Sequence, residues 1–251
     1  MEKYSFKIGY TTNVEYVKSD KNSKKFTILY THGLCSDPWG SKPETVKQWC
    51  IENDIDFYRY ELAGHGSDKE NYINTGVNDW REHILEIIDT IIEGPIIVVG
   101  SSLGGWLSML ATLYRPNRIV GVIGLAAAPD FTKYLRDFLT EQQNKELDEK
   151  GLTAFDNADF GYFYTMKLIN SGNQNLIMEN ENIDINCPVH LLQGMKDASV
   201  PYEHAINIAN KLISEEVILK LLKESNHRLN DEIAKMEIIN SLNWFKNKFS
   251  F

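Results

Sequence analysis

Six short runs along the chain are apolar at nearly every position, with amphipathic segments between them. FTILYTH (26–32), DFYRYEL (56–62), PIIVVGS (95–101), RIVGVIGLAAA (118–128), PVHLLQGM (188–195) and EVILKLLKES (216–225) read as strands. Several are nearly continuous in Val, Ile and Leu rather than alternating, the pattern of strands covered on both faces. VNDWREHILEIIDTII (77–92) and DEIAKMEIINSLNWFKNKF (231–249) carry apolar residues at helical spacing. This alternation predicts an α/β domain over residues 1–251: a mostly parallel, doubly wound sheet of about eight strands. Residues 4–18 are expected to add an antiparallel hairpin at one edge, and KSDKNSKK (18–25) reads as a solvated loop.

One interval breaks the alternation. Residues 131–186 separate the sixth and seventh strands and show no convincing strand of their own. They hold a charged helical pattern, KYLRDFLTEQQNKELDEK, and then an aromatic cluster with Phe155, Phe160, Tyr162, Phe163 and Tyr164. A connection this long is expected to be an insertion with its own structure, and lids over active sites are often built so. Phe160, Phe163 and Tyr164 are the expected substrate contacts and the charged half is expected to face water. The alternative is a satellite core that holds the insertion together.

The run VVGSSLGGWL (98–107) ends a β-branched strand in small residues and resumes as an apolar helix. Gly100-Ser101-Ser102-Leu103-Gly104 fits G-x-S-x-G only with Ser102 at the centre; around Ser101 the flanking positions are Val99 and Leu103. A tight strand-to-helix turn needs glycine two residues either side of a strained, exposed nucleophile. The helix behind it aims free N–H groups at the reacting carbonyl. Leu103 is thus one oxyanion donor, and Leu34, in the THGL loop shaped by His32, is the second.

A serine nucleophile needs a base held by a third group. Among six histidines, His227 in KESNHRLND lies between the last strand and the last helix, at the same sheet edge as Ser102. His83, His190 and His204 fall in regular elements and read as structural. Two carboxylates follow strands at that edge, Asp197 in GMKDASVP and Asp130 in LAAAPDFT. Both satisfy the order Ser…Asp…His. Asp197 is preferred, with Asp130 read as a helix N-cap at the start of the insertion.

Composition narrows the picture without changing it. A hydrophobic content of 43% supports one sizeable core, and a net charge of −9 argues against nucleic acid and anionic membranes as partners. Cys35, Cys50 and Cys187 are scattered, suggesting reduced thiols; none has a CxxC neighbour, and no zinc site is implied. No window has signal-peptide or transmembrane character. The expectation is a cytoplasmic protein without integral membrane association, acting as a monomer or homodimer, and abundant Lys, Asn and Ile, as AT-rich coding gives, make a bacterial source the expected one.

The elbow together with THGL, LAGHGS, LLQGMKDASVP and SNHRL, in this order, resembles the α/β-hydrolase superfamily. GPIIVVGSSLGGWL, CPVHLLQGMKD and the HR after the histidine are similar to one branch of it. That branch comprises mitochondrial palmitoyl-protein thioesterases, also described as acyl-glucuronide esterases, and their bacterial relatives. The resemblance implies hydrolysis of small-molecule acyl esters or thioesters, or of S-acylated protein, through an acyl-enzyme with no metal or organic cofactor. It carries over Ser102 as nucleophile, Asp197 as acid and His227 as base. Glu61, where many members have Asp, and Asn226, where Gly is frequent, depart from the pattern. Hydrolytic C–C cleavage of diketones and slow-turnover ligand binding are the alternatives that the same motifs allow.

Overall fold

The computed structural model describes residues 2–5, 9–19, 26–155 and 162–249. Strands β1 (Glu2–Ser5), β2 (Thr11–Val17), β3 (Thr27–Thr31), β4 (Asp56–Tyr60), β5 (Ile96–Ser101), β6 (Ile119–Leu125), β9 (Val189–Gly194) and β10 (Val217–Leu222) form one sheet, ordered β1-β2-β4-β3-β5-β6-β9-β10. β1 and β2 are the antiparallel edge hairpin; from β4 to β10 all pairings are parallel. β3, β4, β5 and β9 are buried at every position, as their unbroken apolar character requires.

The crossover helices divide between two faces. α1 (Ser41–Glu52) and α7 (Glu232–Lys248) cover one, packing Trp49, Leu242 and Phe245 against Ile28, Ile97 and Ile123. α2 (Val77–Thr90), α3 (Leu103–Tyr114) and α6 (Tyr202–Lys211) cover the other. α3 is the central helix: every residue from Leu103 to Thr112 is buried, which explains why its sequence lacks a polar face. No helix among the described residues is long and apolar enough to cross a membrane.

The 131–186 interval differs from its sequence pattern in two ways. First, it contains strands: β7 (Leu152–Ala154) and β8 (Phe163–Thr165) pair antiparallel, three residues each, too short to register as a periodicity. Second, the charged helical pattern splits. Helix α4 begins only at Glu141, where Thr140 caps it by accepting from the Gln143 N–H; residues 131–133 and 135–138 form two 3-10 turns. β8 runs directly into α5 (Met166–Asn173), capped by the Thr165 hydroxyl. Asp130 is not the helix cap expected of it. It sits at φ +62° and makes no cap bond; its carboxylate accepts from the backbone N–H groups of Ile177 (2.9 Å) and Met178 (2.7 Å). The two ends of the interval are thereby joined.

Candidate active site

Parallel strands deliver their following loops to one sheet edge, and the non-glycine residues with left-handed backbone concentrate there. Cys35 follows β3, Ser102 follows β5, Ala126 and Asp130 follow β6, and Leu229 follows β10, at φ between 45° and 62°. Such conformations persist only when the surroundings over-determine them. At Ser102 (φ 55°, ψ −118°) they do. Its N–H donates to Leu125 O (2.9 Å), and its carbonyl accepts from Gly105 N (2.9 Å) and Ala128 N (3.1 Å). The elbow glycines answer to close backbone approach: a Cβ on Gly100 would stand 2.1 Å from Gly104 O, and one on Gly104 would stand 2.1 Å from Thr31 O. Ser101 is 6% exposed and its hydroxyl hydrogen bonds to Tyr30, whereas Ser102 lines a cavity of about 590 Å³.

Asp197 and His227 meet. The His227 Nδ1–H donates to Asp197 Oδ2 at 2.7 Å. The same oxygen accepts from Gln193 Nε2 (2.9 Å), and Oδ1 accepts from the N–H groups of Ser199 and Val200 (2.8 Å each). Burial alone would raise the carboxyl pKa. The His227 bond and the two backbone donors outweigh it, so Asp197 is held below the usual carboxylate value. His227 shares the cavity wall with Ser102. Gly194 lets the histidine loop cross β9, since a Cβ there would lie 2.4 Å from Ser225 O. Lys42, at the start of α1, donates to Arg228 O (2.6 Å); burial lowers its pKa to about 8.

The loop after β3 runs against the elbow. A Cβ on Gly33 would lie 3.3 Å from Ser102 Cβ and 3.9 Å from its Oγ, and Leu34 lines the cavity beside Ser102. Two buried histidines hold this loop. His32 donates through Nδ1 to Gly33 O (2.8 Å) and accepts at Nε2 from Leu62 N–H (3.0 Å). His65 donates through Nδ1 to Ala63 O (3.1 Å) and accepts at Nε2 from Cys35 N–H (3.1 Å). Burial depresses both, His32 to about 4, so both serve as neutral rings. Leu103, the first residue of α3, is buried behind the elbow.

Of the aromatic cluster, Tyr164 lines the cavity, its ring tilted by 35° against Phe155 at a centroid distance of 3.8 Å. Phe163 is half-buried in β8 and is not among the lining residues, and Phe160 lies outside the described residues. Tyr162 packs in the core between His65 and Tyr72. The apolar wall comes instead from the stretch expected to face water: Phe131, Tyr134, Leu135 and Phe138. Their spacing of i, i+3, i+4 and i+7 was the available signal; Lys133, Arg136 and Asp137 between them obscured it. Gln193, Lys42 and the polar wall with His204 carried no sequence signal.

A profile of the Alpha/beta hydrolase family matches residues 28–172. The chain belongs to the α/β-hydrolase family. This hydrolase is 33% identical over 207 residues to "Palmitoyl-protein thioesterase ABHD10, mitochondrial" of Rattus norvegicus, covering 81% of its own length and 69% of that protein. The protein of the same description from Homo sapiens is 32% identical over 212 residues, with 82% and 68% covered. Among solved structures it is similar to the alpha/beta hydrolase domain-containing protein 10 from mouse, at TM-score 0.85 and 30% identity over 96% of this chain and 95% of that one. It also resembles a putative hydrolase from Agrobacterium vitis S4, at TM-score 0.87 and 26% identity over 96% and 97%.

Proposed function

We propose that this hydrolase cleaves acyl esters or thioesters by attack of Ser102, with formation of an acyl-enzyme. The observation that carries the reading is the short His227–Asp197 contact on the wall of the cavity that Ser102 enters from a strained elbow. His227 takes the Ser102 proton at Nε2 as Oγ bonds to the acyl carbon. Asp197 fixes the Nδ1–H tautomer and stabilises the imidazolium. The backbone N–H groups of Leu34 and Leu103 receive the oxyanion. The acyl–leaving-group bond breaks, and the departing oxygen or sulfur takes the proton from His227. Water, deprotonated by His227, then releases the carboxylic acid and restores Ser102.

The thioesterase relatives favour a thioester, on a small molecule or on protein, within that class. In this reading the 131–186 interval is a lid: its 3-10 turns supply the apolar wall for the acyl chain. The test is labelling with a fluorophosphonate probe together with hydrolysis of p-nitrophenyl butyrate. Ser102→Ala loses both and Ser101→Ala keeps both. An adduct on any other serine overturns the assignment.

A further inference from the structure

His227 stands in the irregular loop between β10 and α7. The loop is closed on itself at Asn226, whose side-chain oxygen accepts from Arg228 N–H (2.9 Å) and whose carbonyl accepts from Leu229 N–H (3.2 Å). Leu229 is fully buried at φ 45°, a left-handed conformation that a bulky residue keeps only under constraint from outside. On the β9 side that constraint is Lys196 N–H, which donates to Ser225 O (3.0 Å). On the α1 side it is Lys42. Its ammonium, 186 residues away along the chain, donates to the Arg228 carbonyl at 2.6 Å, one residue past His227.

Nothing local recommends a lysine there. Lys42 lies in the first turn of α1, where the helix dipole disfavours a cation. Burial also disfavours the ammonium; the Asp197 carboxylate supports its charge and Arg228 opposes it. Nor does the pairing of α1 with α7 turn on it. Trp49 Nε1 donates to Asn243 Oδ1 (2.9 Å) and Lys246 donates to Asn53 Oδ1 (2.6 Å). Val46, Trp49 and Phe245 share one core. These ties lie about two turns or more along α1 from Lys42, so the helix pair is held away from the site by contacts that Lys42 does not make. What Lys42 does hold is the carbonyl beside the base. It does so from a helix that begins shortly after Leu34, in the loop packed on Ser102.

We propose that Lys42 is a positioning residue for His227: by holding the Arg228 carbonyl it fixes the His227 loop against the segment that follows Leu34, and so keeps base and oxyanion donor in step. The proposal rests on the hydrolase reading above, in which His227 is base toward Ser102 and acid toward the leaving group. The test uses the full chain and kcat/KM for two butyrates, p-nitrophenyl and propyl, in the wild type, Lys42→Met and Lys42→Arg. A p-nitrophenolate leaves without a proton, whereas a propoxide needs one from His227. A ring held slightly out of place therefore costs more with the propyl ester. Lys42→Met should lower kcat/KM about tenfold for the p-nitrophenyl ester and about a hundredfold for the propyl ester. The ratio of the two esters within one variant is blind to any fraction of unfolded protein. Lys42→Arg keeps a charged donor long enough to reach Arg228 O, and should recover most of both losses.

Equal losses with the two esters, a Lys42→Met protein as active as the wild type, or a Lys42→Arg protein no better than Lys42→Met overturns the positioning role while leaving the hydrolase reading intact. If Lys42→Met does not fold, Lys42→Gln, polar and one bond shorter, is read in its place with the same expectation. Absence of p-nitrophenyl butyrate turnover in the wild type sinks the hydrolase reading instead. The low-field proton resonance of the His227 Nδ1–H, identified by its loss in His227→Gln, then still decides the role of Lys42. It should weaken in Lys42→Met through faster exchange with water and return in Lys42→Arg, and a resonance equal in all three proteins overturns the proposal.

Discussion

Lowering the pH from about 7.5 to about 5 charges histidines in an unfolded chain but not those buried in this core, and the difference is a measurable loss of stability. His32, His65, His83 and His190 are each at most 1% exposed. Burial is the main cause of depression in all four: His32 and His190 are pushed down to about 4, His83 to about 3 and His65 well below its ordinary value. His32 and His65, with ring centroids 5.2 Å apart, further resist charging together. The folded state therefore binds fewer protons than the unfolded state between their folded values and about 6.5. Stability is present in full above that pH and is lost as pH falls through the window. At about pH 5 each histidine costs about 2 kcal/mol, so the four approach about 8 kcal/mol, comparable with the whole stability of a domain. Asp197 works lower: its depressed carboxyl contributes stability above its unfolded value near 3.8, lost only as pH falls through the still lower folded value. The assay is urea unfolding followed by tryptophan fluorescence across this range. His190 offers an internal control, because it lies between Trp244 (4.6 Å) and Phe245 (4.8 Å) with both ring nitrogens unpartnered among the described residues. His190→Leu should remove one proton from the pH slope and gain about 2 kcal/mol over the wild type near pH 5. A urea midpoint that stays flat from neutral pH to 5, or a slope the variant does not change, refutes the reasoning.

Three further outcomes follow from the geometry. Asp197→Asn should lower kcat by about 10⁴ with the fold intact, whereas Asp130→Asn should lose about 1–3 kcal/mol of stability in thermal unfolding and little kcat; the reverse ranking would place the acid on the earlier strand. Over acyl thioesters of increasing length, kcat/KM should rise up to about fourfold per methylene until the pocket is full. Phe131→Ala should flatten that rise and Phe163→Ala should not, and a flat wild-type profile removes the acyl-wall assignment. Gln193→Glu sets a second carboxyl against the Asp197 oxygen that serves His227; the acid limb of kcat/KM should move to higher pH, and an unmoved limb means that Gln193 only packs.

The sheet and the elbow were legible because each rests on a local rule. Strands such as Ile96–Ser101 must be apolar on both faces, and Gly100 and Gly104 are required by contacts within a few residues or with the adjacent strand. That His227 and Asp197 stand together was legible from their places after strands at one edge. The cavity wall was not. Leu135 turns inward and Phe131, Tyr134 and Phe138 line the cavity, Tyr134 and Phe138 from an exposed rim, while Lys133 and Arg136 pair with Glu179 and Asp148, and a stretch so charged reads as a solvated face until its partners are known. Gln193 is placed by amide bonds to Gly194 O, Asp197 and Val200 O, and His204 by one long-range contact with Pro129 O, none of which a periodicity reports. β7 and β8 exist through their mutual pairing rather than through three-residue propensities.

The Ile177 and Met178 N–H groups, 47 and 48 residues along the chain from Asp130, donate to its carboxylate and fasten the detour at its neck. One carboxylate thus closes the neck at the sheet edge, and each doubling of the length of chain beyond it adds only about 0.6 kcal/mol. The segment distal to the clasp is also moored to the core, where the Ser171 hydroxyl accepts from Val77 N–H, Asn175 O accepts from Trp106 Nε1 and Tyr162 packs between His65 and Tyr72. A shortened version that keeps the aspartate, its two donating amides and these moorings re-tailors the chamber above Ser102 while the β6–β9 register beneath it stays as it is.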